Sequence, residues 1–239
     1  MIVSVFKDIK DITTPPTKVD VMKVLERIGS GDNGLKEVIE EVRLLSGDEE
    51  ARNLLKKKLG AVVFSGYCGK PIHKTSRSTG KQYDSYRDDA SLSKHSGLAI
   101  IDLDDFKNDE EVKKWKAHFK TDKHVFSVFD SPSGKLKVLY RIPADIAMHR
   151  NHYRSILDDL QNMGLKVDST SINESRVCFM SYDPDIYINE QAVVYTKFMV
   201  VNEADVIDDA AIKKGTGMTD FKKVAVAAEM IDRDRKSVV

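Results

Sequence analysis

The stretch GLAIIDLDDF at residues 97–106 constrains this chain more than any other. Leu98, Ala99, Ile100 and Ile101 give no alternation of apolar and polar residues, so both faces of the strand they form must be covered. Such a strand belongs in the middle of a sheet with layers on either side. It ends, however, in Asp102, Asp104 and Asp105. Residues two apart on a strand share a face at about 6–7 Å, so Asp102 and Asp104 are expected to project together. Side-by-side carboxylates of this kind suit Mg²⁺ or Mn²⁺, hard cations that prefer oxygen ligands. A strand ending in a solvated turn, with these acids capping the next helix, is the plainer alternative.

The surrounding pattern alternates helices and strands. Met22, Leu25 and Ile28 recur at helical spacing before Gly29, and Leu35, Val38, Ile39, Val42 and Leu45 do so before Gly47. A third helix, with Leu54, Leu55 and Leu59, runs to Gly60, and AVVFS then reads as a buried strand. Val112, Trp115 and Phe119 predict a helix that Asp105 or Asn108 could cap. HVFSVFD, SPSG and KLKVLYRI form a predicted hairpin at 124–142, with Lys135, Lys137 and Arg141 on a face that no core needs. A long helix from about Ile146 to Met163 precedes a strand–loop–strand region, and AVVYTKF closes the pattern as a last strand. Residues 201–239 read as a linker and a terminal helix over 218–232. Strands interleaved with helices and one hairpin predict an α/β or α+β architecture around a mixed sheet.

Composition narrows the function classes. The 239 residues carry 38 Lys and Arg against 38 Asp and Glu, so the overall field attracts neither nucleic acid nor a basic partner. Two distant cysteines and six histidines without metal-site spacing point to a reduced, cytoplasmic protein without structural zinc. No apolar run approaches the ~20 residues that span a bilayer, and no membrane partner is expected. Neither a dinucleotide fingerprint nor an ATPase phosphate loop occurs. Positive charge is local instead. Residues 66–96 read as a long basic loop in which Lys74, Arg77, Lys81 and Arg87 are candidates for tracking a single strand, with Tyr83 or Tyr86 for stacking.

Two further segments accompany the acids. SPSGKLK offers hydroxyls from Ser131 and Ser133, the flexible Gly134, and Lys135 and Lys137, a set suited to phosphate oxygens; an ordinary hairpin turn with solvated lysines has the same composition. Downstream, VDSTSINESR supplies Asp168 and Arg176, the latter equally readable as a surface residue opening a strand.

In this order, IIDLD, SPSGKLK, then VD followed by SRVCFMSYDPDIYIN, the sequence resembles the archaeo-eukaryotic primase superfamily, and most closely the VirE N-terminal-like domains of bacterial mobile elements. The likeness covers roughly residues 60–200. It implies an α+β fold with an RRM-like sheet flanked by helices: an N-terminal strand-and-helix extension at 1–60, a primase-polymerase-like core at 61–200, and the appendage at 201–239. It also implies metal-dependent nucleotidyl transfer on single-stranded DNA or RNA templates. Asp102, Asp104 and Asp168 match the metal-holding, catalytic acids; Ser131, Ser133, Gly134, Lys135, Lys137 and Arg176 would bind the nucleoside triphosphate. Lys137 stands where the superfamily usually has histidine, so it would act on phosphate as a point charge. Two readings follow beside polymerase: a non-catalytic module that binds single strands or nucleotides for a separate helicase, and a metal-dependent nuclease.

Overall fold

The computed structural model describes residues 1–167 and 171–200. The chain begins with β1 (Ile2–Phe6), β2 (Thr17–Asp20), α1 (Val21–Ser30), α2 (Leu35–Leu44), α3 (Glu49–Lys56) and β3 (Ala61–Val63). Four short strands follow: β4 (Gly66–Cys68), β5 (Ile72–Thr75), β6 (Gln82–Ser85) and β7 (Leu92–His95). Then come β8 (Leu98–Leu103), α4 (Asp109–Phe119), β9 (Val125–Asp130), β10 (Leu136–Arg141), α5 (His149–Asn162), β11 (Cys178–Phe179) and β12 (Tyr187–Ile188).

Two four-stranded sheets carry the fold, in the orders β11-β3-β1-β2 and β12-β9-β10-β8. Every pairing within them is antiparallel, where a mixed sheet was expected. The reason is positional. α4 carries the chain from β8 past one strand position to β9, and the tight turn then returns β10 into the gap, opposite in direction to both neighbours.

The apolar run of β8 is covered on both sides, as its lack of alternation predicted. Leu98 and Ile100 enter a core shared with Val3, Leu25, Ile39, Val62 and Phe126, so the first sheet, α1 and α2 pack on this face. Ala99, Ile101 and Leu103 enter a second core with Val112 and Phe119 of α4 and Tyr153, Ile156 and Leu160 of α5. Each such buried aliphatic side chain contributes roughly 1.5–3 kcal/mol over its exposed state. Asn108, one of the two candidate caps, accepts from Glu111 N at 2.9 Å and starts α4.

Three expectations are corrected. Residues 66–96 are not a loop: β4 pairs with β7 and β5 with β6, in two antiparallel ribbons. The β5–β6 ribbon has one exposed face and one half-buried face on which Lys74 and Ser85 stand beside Ile72 and Tyr83, so it leaves no clear hydrophobic period to read. AVVYTKF forms no strand; Val193 N donates to Lys123 O at 2.8 Å and Tyr195 N to Arg141 O at 2.7 Å as irregular chain. The face of β10 bearing Lys137, Leu139 and Arg141 is not free either. Leu139 is fully buried between the sheets, and Arg141 donates to the carbonyls of Glu190 and Ala192. The linker and helix expected at 201–239 lie outside the described residues. Among the described residues no helix is long and apolar enough to cross a membrane.

Candidate functional site

Asp102 shares the inward face of β8 with Leu98 and Ile100, and the β8–β10 register sets Lys137 directly opposite it. The Lys137 ammonium stands 2.6 Å from Asp102 Oδ1, and Arg176 donates to Oδ2 at 3.1 Å. Asp102 is 8% exposed. Burial works against the charge on Lys137, but the adjacent Asp102 carboxylate outweighs it and the lysine is held above its ordinary value. Beside them, burial pushes the Cys178 thiol up to about 12, so it is an inert thiol rather than a nucleophile.

The expected pairing of Asp102 with Asp104 takes a different form. β8 ends at Leu103, which leaves Asp104 exposed beyond the strand, while Asp105 pairs with Lys166 at 2.8 Å. Asp168, the third acid of the expected clamp, lies outside the described residues. Among the described residues no group of three or more acids, histidines or cysteines is placed to hold a metal. With both oxygens of Asp102 engaged by cations, the described side chains do not fit a two-ion centre.

The β9–β10 turn lies next to this pair. Ser131 closes it: its N–H donates to Lys135 O at 2.6 Å, its Oγ accepts from Lys135 N at 3.1 Å, and Gly134 takes the left-handed conformation (φ 75°) that completes the reversal. Ser131 is buried, so its hydroxyl belongs to the turn. Ser133 and Lys135 are half-buried. Ser133 Oγ accepts from Lys56 Nζ at 3.3 Å, a residue of α3 that sequence reading passed over. Burial, then repulsion from Arg52 and Lys137, holds Lys56 below its ordinary value. The only signal for it was the basic end of RNLLKKK, which by itself reads as ordinary helix C-terminal chemistry.

Hydrogen bonds and ion pairs fix the approaches to the site. Arg43 of α2 donates to the carbonyls of Ser131 (3.2 Å) and Tyr182 (2.7 Å), tying the turn to the YDPD segment. Behind it, Lys116 of α4 lies 2.7 Å from Asp183 and 3.0 Å from Asp130, with Asp183 almost wholly buried. Arg176 is held by its own segment. Arg150 grips Glu174 (2.9 Å) and Asp89 (2.7 Å), and Asp89 accepts from Ser175 N at 2.9 Å.

The basic segment divides into two kinds of cation. Lys74 pairs with Asp88 at 2.7 Å, and Arg87 donates to the carbonyl of Ile9, so both serve the fold. Arg77 and Lys81 are exposed near the tip of the β5–β6 ribbon, with Tyr83 and Tyr86 half-buried.

No curated protein and no solved structure matches this chain. A family model described as BT4734-like, N-terminal domain, matches residues 78–188, a stretch that holds Asp102, the turn, Lys137 and Arg176 and leaves β1 to β5 and all three N-terminal helices outside.

Proposed function

We propose that this chain binds the phosphates of a nucleotide or single-stranded nucleic acid at the open end of β8 and β10, as a non-catalytic module related to the primase-polymerases and working beside a separate helicase. The observation that carries this reading is the bracket of Lys137 and Arg176 on the buried Asp102. One carboxylate holds two cations in fixed positions next to a serine-bearing turn, the preorganisation that phosphate recognition uses. The order β8-α4-β9-β10-α5, with β10 between β8 and β9, is that of a split βαβ unit and supports the RRM-like part of the reading. β12 joins at the β9 edge, where that likeness stops.

Metal-dependent nucleotidyl transfer is the second reading, favoured by Asp104, which is exposed at the open end and within electrostatic reach of Lys56 and Lys137. Mg²⁺ or Mn²⁺ would there supply charge neutralisation for the triphosphate, and Asp102 would have to release Lys137 to contribute. Titrating ATP and an oligo-dT strand with and without Mn²⁺, alongside a primer-extension assay, separates the two. Binding without a divalent ion and no extension product is expected. Extension that needs Mn²⁺ and is lost in Asp104→Ala would replace the binding-module reading with the polymerase.

A further inference from the structure

Lys56 occupies an unusual electrostatic position. Its ammonium faces the Ser133 hydroxyl at 3.3 Å and stands 5.8 Å from the centroid of the Phe179 ring. Among the described residues no carboxylate lies at ion-pair distance from it; Asp104 and Glu49 act only from farther off. The neighbouring cations offer no relief. Lys137 and Arg176 are matched to the same single carboxylate, Asp102, and Arg52 adds a further positive charge on α3 itself. Four cations, Lys56, Lys137, Arg176 and Arg52, therefore face the buried Asp102 and the more distant Asp104 and Glu49, and Lys56 is left without an ion pair.

A half-buried ammonium without a counter-charge is disfavoured by desolvation and by its cationic neighbours. A multiply charged anion entering between Lys56, Ser133 and Lys137 removes both penalties together. α3 can supply this contact because none of its residues is fully buried, while Leu59 just beyond it is anchored in the core. Resting on the phosphate-binding reading above, we infer that Lys56 is the third phosphate-gripping cation of the site, closing from α3 over the phosphates of a nucleoside triphosphate held at the Ser131–Lys135 turn. The site then depends on a helix outside the family-matched stretch. The ligand class follows from charge density. A triphosphate concentrates several negative charges within the span of one lysine and one turn, whereas a single-strand backbone brings one charge per nucleotide.

Calorimetric titration with ATP, adenosine and oligo-dT tests this. The wild-type chain is expected to bind ATP and to ignore adenosine. Lys56→Met is expected to weaken ATP binding about tenfold or more. Lys56→Arg should keep most of the affinity, and Lys57→Met, which removes an exposed neighbouring charge, should change little. An unchanged urea midpoint for Lys56→Met separates a binding role from a folding one. Equal ATP affinity in wild type and Lys56→Met overturns the role of Lys56 while leaving phosphate binding in place. Wild-type binding of oligo-dT that Lys56→Met weakens, with no binding of ATP, overturns the triphosphate assignment, and binding of neither overturns the site as a whole.

Discussion

Lys137 on β10 lies directly across the ladder from Asp102 on β8, and its ammonium stands 2.6 Å from a carboxylate that is almost wholly enclosed. The sequence places a potential metal ligand at the end of a strand; the sheet register supplies that ligand with a cation of its own.

Breaking this pair from one side strands a buried charge. Lys137→Met is expected to destabilise the chain by about 3 kcal/mol, because Arg176 alone remains for Asp102. Replacing both partners, Asp102→Leu with Lys137→Met, removes the stranded charge and should cost less than the lysine variant alone. Urea unfolding of the single and double variants measures the difference.

Lys116 stabilises the YDPD segment by the same logic. It lies between Asp130 and Asp183, and although burial opposes its charge, the two acids raise it above the ordinary lysine value. Lys116→Met leaves both carboxylates without their cation and is expected to lose about 3–5 kcal/mol in chemical denaturation. Lys113→Met, an exposed site on the same helix, should stay within about 0.5 kcal/mol.

A pH dependence follows from His95 and His149, whose rings meet at 2.9 Å in the interior. Gly97 N–H donates to His95 Nδ1, so His95 presents its other nitrogen to His149 as the donor. Burial pushes the pair down to about 4 for His95 and about 3 for His149. In the unfolded chain both protonate near 6.5. Their contribution is therefore complete above about pH 6.5 and is lost as the pH falls from there towards 4 and then 3, each group steepening the loss by up to about 1.4 kcal/mol per pH unit. Thermal unfolding between pH 7 and pH 4 (chosen to span roughly this window) should show a shallower decline in His95→Gln/His149→Gln.

The cations of the β5–β6 ribbon should separate by role. Neutralising Arg77 and Lys81 is expected to weaken single-strand binding at low salt and to reduce the salt slope by about 0.7 per lost phosphate contact, with stability unchanged. Neutralising Arg87 instead removes its hydrogen bond to Ile9 O and should lower the unfolding midpoint. Fluorescence anisotropy with labelled oligo-dT across a salt series, beside urea unfolding, distinguishes the pairs.

Much of the fold was legible because local order and burial leave periodic traces. The unbroken Leu98–Ile101 run announced a strand covered on both faces, and Val112, Trp115 and Phe119 announced the stripe of α4; both are where periodicity put them. The β5–β6 ribbon left no trace because its covered face is only half-buried and carries the polar Lys74 and Ser85. Within the candidate site, Asp102, Lys137 and Arg176 were singled out by type and order, and they do meet. Lys56 and Arg43 were not, since nothing local to α2 or α3 says which part of a distant turn they will touch.

By itself, then, the sequence determined the strands and helices that carry a hydrophobic period and the turn at Ser131–Lys135, because hydrophobic period and turn chemistry act over a few neighbouring residues. Only the tertiary structure decided what Asp102 faces. That depended on β10 entering the sheet beside β8 in a register that brings Lys137 opposite the acid, and on Arg176 arriving from a segment more than seventy residues away. Ion pairing across a sheet is a long-range choice that the acid's neighbours in sequence do not specify.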